Sequence, residues 1–294
     1  MEKLWTVLDI INWTVDYLNR KNIEEAGYKT ELLLADVLGL KRFDLYLNFD
    51  RPLSQKERND FKEYLNRLVN NEPVQYILGK WNFYGYDFKV TNDVLIPRRE
   101  TEELTEKALK YLLKSNLNER FNIVDVGTGS GAIIISLYLE LKNKLKRDVF
   151  EKIIFTATDI SQKALEIADE NARINIGDTH GIKFLKSDLL TEINQEIDLL
   201  ISNPPYVSLN DYNKLSKELY FEPKNAITDN GDGLYFYRKL ISEVKKRRIK
   251  KAFFEIGYNQ KKDIEEICLG NNISDFKFFK DLSGKYRILE ISNF

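Results

Sequence analysis

The apolar positions change period along the chain. Over residues 1 to about 70 they recur at spacings of three and four. Trp5, Leu8, Ile11, Val15 and Leu18 fall on one face of a helix. A second run, Glu31 to Leu38, is stopped by Gly39, a residue suited to a helix end. Ser54 followed by Glu57 gives a capping-box pattern ahead of Phe61, Tyr64, Leu65 and Leu68. The pattern predicts a small helical bundle over residues 1–72. Across 73–100, Tyr76, Trp81, Phe83, Tyr84, Tyr86 and Phe88 crowd around Gly79 and Gly85, which predicts a β-hairpin linker. Pro97 then fixes the chain ahead of a helix beginning near Thr101.

From about residue 120 short apolar runs alternate with amphipathic ones. Strands are predicted at 121–126, 153–157, 182–185, 197–201, 252–256, 275–279 and 286–292, with helices over 132–141, 163–175, 233–248 and 261–269. Such alternation means βαβ units, so an α/β fold over 101–294 with a mainly parallel sheet. Ligands of such sheets sit beyond the carboxyl ends of the strands, which directs attention to strand ends.

Composition narrows the function classes. A hydrophobic share of 43% can build a core, and a formal net charge of −1 weighs against a duplex-binding protein. The one cysteine, Cys268, excludes an intrachain disulfide and suits a reducing interior; its spacing from Ile264 and Ile267 places it in a core. The one histidine, His180, falls in a polar loop stretch, and no metal-binding cluster is evident. Glu2, Asp9 and Asp16 interrupt any leader-like run, and no apolar run is long enough to span a membrane. The expectation is a cytoplasmic protein without a membrane segment. The basic run Lys245 to Arg248, with Lys250 and Lys251, reads as a helix end favoured by the dipole rather than a nucleic-acid patch.

Two strand ends carry candidate chemistry. Gly127-Thr128-Gly129-Ser130-Gly131 follows the first strand of the sheet and opens a helix, whose free N–H groups and glycine backbone suit a nucleotide. Its Gly-x-Gly-x-Gly spacing differs from that of dinucleotide enzymes. Asp159, at the end of the next strand, can accept from both hydroxyls of a ribose, or cap a helix, although Ser161 is better placed for capping. Asp188 ends the third strand, as a turn residue or as an acceptor for an exocyclic amine with Leu189 against the ring. Asn203-Pro204-Pro205-Tyr206 closes the fourth strand. Two prolines end the ladder, and the Asn203 side-chain carbonyl and the Pro204 carbonyl offer fixed acceptors for the N–H groups of a planar amine or amide. An ordinary turn is the alternative.

Together Asp125–Gly131, Asp159, Asp188 and Asn203–Tyr206 resemble the class I S-adenosylmethionine-dependent methyltransferases. The chain resembles the HemK/PrmC family of release-factor glutamine N5-methyltransferases almost end to end. It shares Glu72–Gly79, Val94–Arg98 with Glu100–Glu102, Phe221–Pro223, Asp232–Leu234 and Phe254–Gly257. Three positions depart from the family pattern: Arg99 stands for a usual Pro, Asp36 for a usual His, and the helix from 233 lacks a closing Gly-Gly turn. The resemblance implies a Rossmann-like sheet of seven strands, the last antiparallel, behind an N-terminal domain that recognises substrate. It implies S-adenosylmethionine as cofactor, with Gly127, Thr128, Gly129, Ser130 and Gly131 at its methionine and ribose, Asp159 on the ribose, and Asp188 and Leu189 at the adenine. Asn203, Pro204, Pro205 and Tyr206 would hold the glutamine of a Gly-Gly-Gln loop in a class I peptide chain release factor. Asn203, Pro204 and Tyr206 would be catalytic, Asn203 also touching the cofactor. A monomer acting on a protein, without nucleic acid or metal, is implied. The alternatives are an adenine-N6 nucleic-acid methyltransferase, which shares Asn-Pro-Pro-Tyr, and a non-catalytic binding module on the same fold.

Overall fold

The computed structural model describes residues 4–292. The chain forms two compact units, one of residues up to 79 together with 217–221, the other of 80–216 and 222 onward.

In the first unit, α1 (Val7–Arg20) starts at a capping box in which Thr6 and Asp9 satisfy each other's backbone N–H. That cap sets the phase of the helix. Its buried residues are Val7, Ile10, Thr14 and Leu18. The predicted stripe is therefore one step off: Leu8 is exposed, while Ile11 and Val15 sit at the flank. The pattern misled because Thr14 is a polar residue at a core position, and Trp5 precedes the helix. Next comes α2 (Ala26–Leu38), ended by Gly39 at φ +63°, then α3 (Gln55–Val69), capped by Ser54 and Glu57 as predicted. Leu33, Leu34, Leu45, Phe61 and Leu68 fill the core. A short helix, α4 (Val74–Leu78), takes up the start of the predicted hairpin segment, and Gly79 at φ +69° ends it. Tyr76 is thus helical. Arg67 holds this turn by pairing with Glu72 at 2.7 Å and donating to the Tyr76 carbonyl at 3.2 Å.

The second unit opens on the hairpin β1 (Lys80–Phe83) and β2 (Tyr86–Lys89), antiparallel about Tyr84 and Gly85. Both turn residues have positive φ, as a two-residue hairpin turn that follows strand twist requires. The chain continues through α5 (Arg99–Leu112), β3 (Phe121–Val126), α6 (Ala132–Lys144), α7 (Arg147–Phe150), β4 (Ile153–Asp159), α8 (Gln162–Asn175), β5 (Lys183–Lys186) and β6 (Leu199–Ser202). It ends with α9 (Leu209–Tyr212), α10 (Lys224–Ile227), α11 (Tyr235–Lys246), β7 (Lys251–Glu255), α12 (Lys261–Gly270), β8 (Phe276–Lys280) and β9 (Tyr286–Ser292). Seven strands make one sheet in the order β5-β4-β3-β6-β7-β9-β8. Its pairings are parallel except for β9, which is antiparallel to both neighbours.

Strand periodicity divides the core into two layers. Ile123, Leu199, Ile201 and Phe253 face one cluster; Val124, Leu200, Ala252 and Phe254 face the other. Each such side chain removed from water contributes roughly 1.5–3 kcal/mol. Cys268 is buried in the second cluster, as its spacing predicted. His180, in a loop as predicted, is nonetheless buried and bonds Asp169 at 3.1 Å. No helix crosses between β5 and β6. A loop replaces it, anchored by Leu190 and Ile193 and clamped by Arg247, which donates to both their carbonyls. The basic run is therefore largely committed to structure: Lys250 pairs with Asp198 at 2.7 Å, and buried Lys251 with Glu290 at 2.6 Å.

Gly131, at φ +81°, joins the glycine loop to α6. A Cβ there would lie 2.8 Å from Ile135 Cδ1 and 3.2 Å from Ala168 Cβ. We expect Gly131→Ala to lower the unfolding free energy by about 1–3 kcal/mol, from backbone strain plus overpacking. An unchanged urea midpoint and slope would show that the α6–α8 contact is looser than described.

Candidate active site

Strand register assembles the site. Val126 lies opposite Thr158 on one side and Ser202 on the other, and Ser202 lies opposite Phe254. The next residue of each strand, Gly127, Asp159, Asn203 and Glu255, therefore falls in one row at the carboxyl end of the sheet. Between β4, β3 and β6 the chain direction of crossing reverses, opening the crevice expected of a doubly wound sheet. A cavity occupies it, walled by Gly127, Gly129, Asp159, Asp188, Leu189, Asn203, Pro204 and Pro205. Four of the sequence-designated residues, Thr128, Ser130, Gly131 and Tyr206, are not on its lining.

The glycine loop is held from behind. Gly127 N and Thr128 N donate to the Thr158 carbonyl at 2.8 and 2.9 Å. Thr128 Oγ1 donates to Asp125 Oδ2 at 2.7 Å; burial pushes the Asp125 carboxyl up to about 7, against the pull of this bond. The Ser130 carbonyl accepts from Asn171 at 2.9 Å. Gly127 and Gly129, both at positive φ, have open space where a Cβ would be, so the loop presents bare backbone to the cavity. Asp159 ties loop to helix: Oδ2 accepts from Gly129 N at 3.0 Å and Oδ1 from Ser161 N at 2.9 Å. Burial raises its pKa; those backbone bonds oppose the rise. Ser161 caps α8, as its position predicted.

Leu189 has φ +53°, an unusual conformation for a branched side chain. Its carbonyl accepts from Thr158 Oγ1 at 3.1 Å, and the Arg247 clamp holds the next residue. The strain is thus overdetermined by its surroundings. On the other wall, Asn203 Nδ2 donates to Thr101 Oγ1 at 3.1 Å, and Thr101 Oγ1 donates to Glu255 Oε2 at 2.6 Å. Tyr206 donates its hydroxyl to Glu255 Oε1 at 3.3 Å, and Tyr237 donates to the Glu255 backbone carbonyl at 2.7 Å. Gln260 Nε2 donates to the Tyr206 carbonyl at 2.8 Å, fixing the end of the motif.

Sequence reasoning left several of these residues without a role. Asp93, Val94 and Leu95, Ile160, Pro223 to Ala226 in part, and Phe236 also line the cavity. Buried Glu222 binds this wall together, accepting from Ile96 N at 3.0 Å and pairing with Arg98. Thr101, Glu255 and Gln260 act behind Asn203 and Tyr206. Most sit within or beside the shared blocks at 94–102, 221–223 and 254–257, which was the available signal.

A seven-stranded sheet of this order, with a glycine loop after β3 and an acidic residue closing β4, defines a Rossmann-like methyltransferase. Residues 9–79 match the PrmC N-terminal domain, and residues 105–260 match the methyltransferase small domain. The release factor glutamine methyltransferase of Fusobacterium nucleatum subsp. nucleatum is 37% identical over 289 residues, 96% of this chain and 77% of that one. The protein of the same name from Bacillus subtilis is 35% identical, covering 97% of this chain and 96% of that one. The N-terminal domain of human METTL16 shares the fold, with a TM-score of 0.51 at 17% identity over 80% of this chain and 83% of that one. The chain belongs to the release factor glutamine methyltransferase family.

Burial pushes the fully enclosed Glu255 carboxyl up to about 7. The Thr101 and Tyr206 hydroxyls and Arg287 favour its charge, while Glu100 opposes it. An acid whose folded pKa is raised gives stability that is present below its unfolded value, near 4.5, and lost as pH rises through about 7. Glu255→Gln cannot lose that contribution. Urea unfolding at pH 5 and pH 8 is expected to show the variant gaining on the parent by more than about 1 kcal/mol at the higher pH. A pH-independent difference would mean that Glu255 titrates normally.

Proposed function

We propose that this chain transfers a methyl group from S-adenosylmethionine to the side-chain amide nitrogen of a glutamine, that of the Gly-Gly-Gln loop of a class I peptide chain release factor. The observation that carries the reading is the placement of Asn203 and Pro204 on the wall of the same cavity as the glycine loop and Asp159. The family relationship supports the choice of glutamine over other planar nitrogens.

The residues present fit the cofactor. The cavity combines bare glycine backbone, apolar walls from Val94, Leu189 and Ala226, and the carboxyl groups of Asp93, Asp159 and Asp188. Such a lining suits a nucleoside that carries positive charge. Asp159 would take the ribose, Asp188 with Leu189 the adenine, and Gly127 and Gly129 the methionine end. Thr128, Ser130 and Gly131 support that end from behind, by the bonds that shape the loop. When bound, S-adenosylmethionine supplies an electrophilic methyl on a sulfonium.

An amide nitrogen is a weak nucleophile because its lone pair is delocalised into the carbonyl. Asn203 Oδ1 and the Pro204 carbonyl, each accepting one N–H, favour a pyramidal nitrogen and stabilise the positive charge that develops on it. Fixing the nitrogen in line with the leaving group is the larger part of the task. Tyr206 holds the strand end through Glu255, and Pro205 lines the cavity beside it. The first unit would grip the body of the release factor. The reading carries with it a cytoplasmic monomer that uses no nucleic acid. The near-neutral charge and the engagement of Arg247, Lys250 and Lys251 within the fold favour it over an adenine-N6 enzyme.

Mass spectrometry of the Gly-Gly-Gln peptide, after incubation of release factor with enzyme and cofactor, is expected to show one added methyl on glutamine. Labelled cofactor with duplex DNA should give none. Asn203→Ala is expected to lower kcat by about 10²–10³, with cofactor affinity within about threefold by calorimetry. Near-normal turnover in that variant would remove Asn203 from the mechanism.

A further inference from the structure

A side-chain amide has two ends that differ only in hydrogen-bond polarity. Asn203 can serve the proposed reaction in one orientation only, with Oδ1 toward the substrate nitrogen and Nδ2 away. Turned over, it would present N–H groups to N–H groups. Something in the protein must choose between the two.

The contacts behind Asn203 make that choice. Thr101, the third residue of α5, is buried, and its hydroxyl sits between two partners. One is Glu255 Oε2 at 2.6 Å and the other Asn203 Nδ2 at 3.1 Å. A hydroxyl has a single proton to give. Once ionised, as it is above about pH 7, the Glu255 carboxylate can only accept, so it takes that proton. The Thr101 oxygen is left with lone pairs, and a lone pair binds the NH₂ end of an amide. The second oxygen of Glu255 faces the Tyr206 hydroxyl at 3.3 Å, and in its ionised form the carboxylate has no proton with which to reverse either bond. Its backbone is pinned by Tyr237 and by the β7–β9 ladder, where it lies opposite Ile288.

We propose that Thr101, its hydroxyl oriented by Glu255, is the positioning residue that fixes the Asn203 amide with Oδ1 toward the substrate, and so makes the site an acceptor for a primary amide. The inference rests on the function proposed above. Polarity passes from the buried Glu255 carboxylate, through one hydroxyl, to the amide at the strand end. Neither Thr101 nor Glu255 appears on the cavity lining; Thr101 acts through Asn203, and Glu255 through Thr101 and Tyr206.

The experiment is a double-mutant cycle on the full-length protein, with release factor as substrate and tritiated S-adenosylmethionine to reach low rates. Thr101→Val keeps the side-chain shape and removes both hydrogen bonds. It is expected to lower kcat by about 10- to 100-fold, with cofactor affinity and melting temperature close to those of the parent. Thr101→Ser, which keeps the hydroxyl, should restore most of that loss. Glu255→Gln should lower kcat as well. In an Asn203→Ala background, Thr101→Val should not lower kcat further, because a residue that acts only through Asn203 has nothing left to orient. Full activity of Thr101→Val, failure of serine to rescue it, or undiminished losses in the Asn203→Ala background would each overturn the proposal. If Thr101→Val unfolds, Thr101→Ala takes its place in the same cycle, beside the serine variant. Normal activity of Asn203→Ala alone would overturn the function proposed for that residue, a result separable from a failure of Thr101.

Discussion

The site depends on strand register. Val126, Thr158, Ser202 and Phe254 occupy one row of the sheet. The four residues that follow them emerge at one level, although they are separated by as many as 128 positions in sequence (Gly127 to Glu255). Slipping one strand by a single residue would turn its side chains to the opposite face and move its end by about 3.3 Å. Asp159 would lose Gly129, or Asn203 would lose Thr101. The strands β3 and β6, buried along their whole length, are therefore part of the chemistry at their ends. They are what makes a slipped register costly.

Much of this was visible in sequence, for reasons that differ by element. Ser54 with Glu57 and the stop at Gly39 are local signals, complete within one turn of helix, and they read directly. The strands of the sheet were legible because they are short, apolar and bounded. The glycine loop and Asn203-Pro204-Pro205-Tyr206 stood out because their residue types are hard to explain as packing. The phase of α1 was not legible. A cap at Thr6 and a buried Thr14 decide it, and hydropathy alone cannot weigh a satisfied polar residue in a core. The helical turn at Val74–Leu78 was hidden in an aromatic stretch by the hairpin that follows it.

The second tier of the site was out of reach for another reason. Thr101 and Glu255 look like ordinary helix and strand residues. Their meaning is a hydrogen bond across 154 positions of sequence, and only the folded sheet edge brings them together. The same holds for Glu222, whose buried carboxylate joins the segment at 96–98 to the start of the wall at Pro223. Part of the cavity surface was found by residue type. The groups that orient them had to be found by geometry.

The two consecutive prolines have one more consequence. Pro204 and Pro205 carry no N–H, so the backbone at that edge of the cavity is rich in oxygen and poor in hydrogen-bond donors. A carboxylate brought to the same place would set its negative oxygens against two carbonyl oxygens, with no proton between them. Under the proposed function, glutamate would therefore be refused there by repulsion, a discrimination that comes from missing donors rather than from shape.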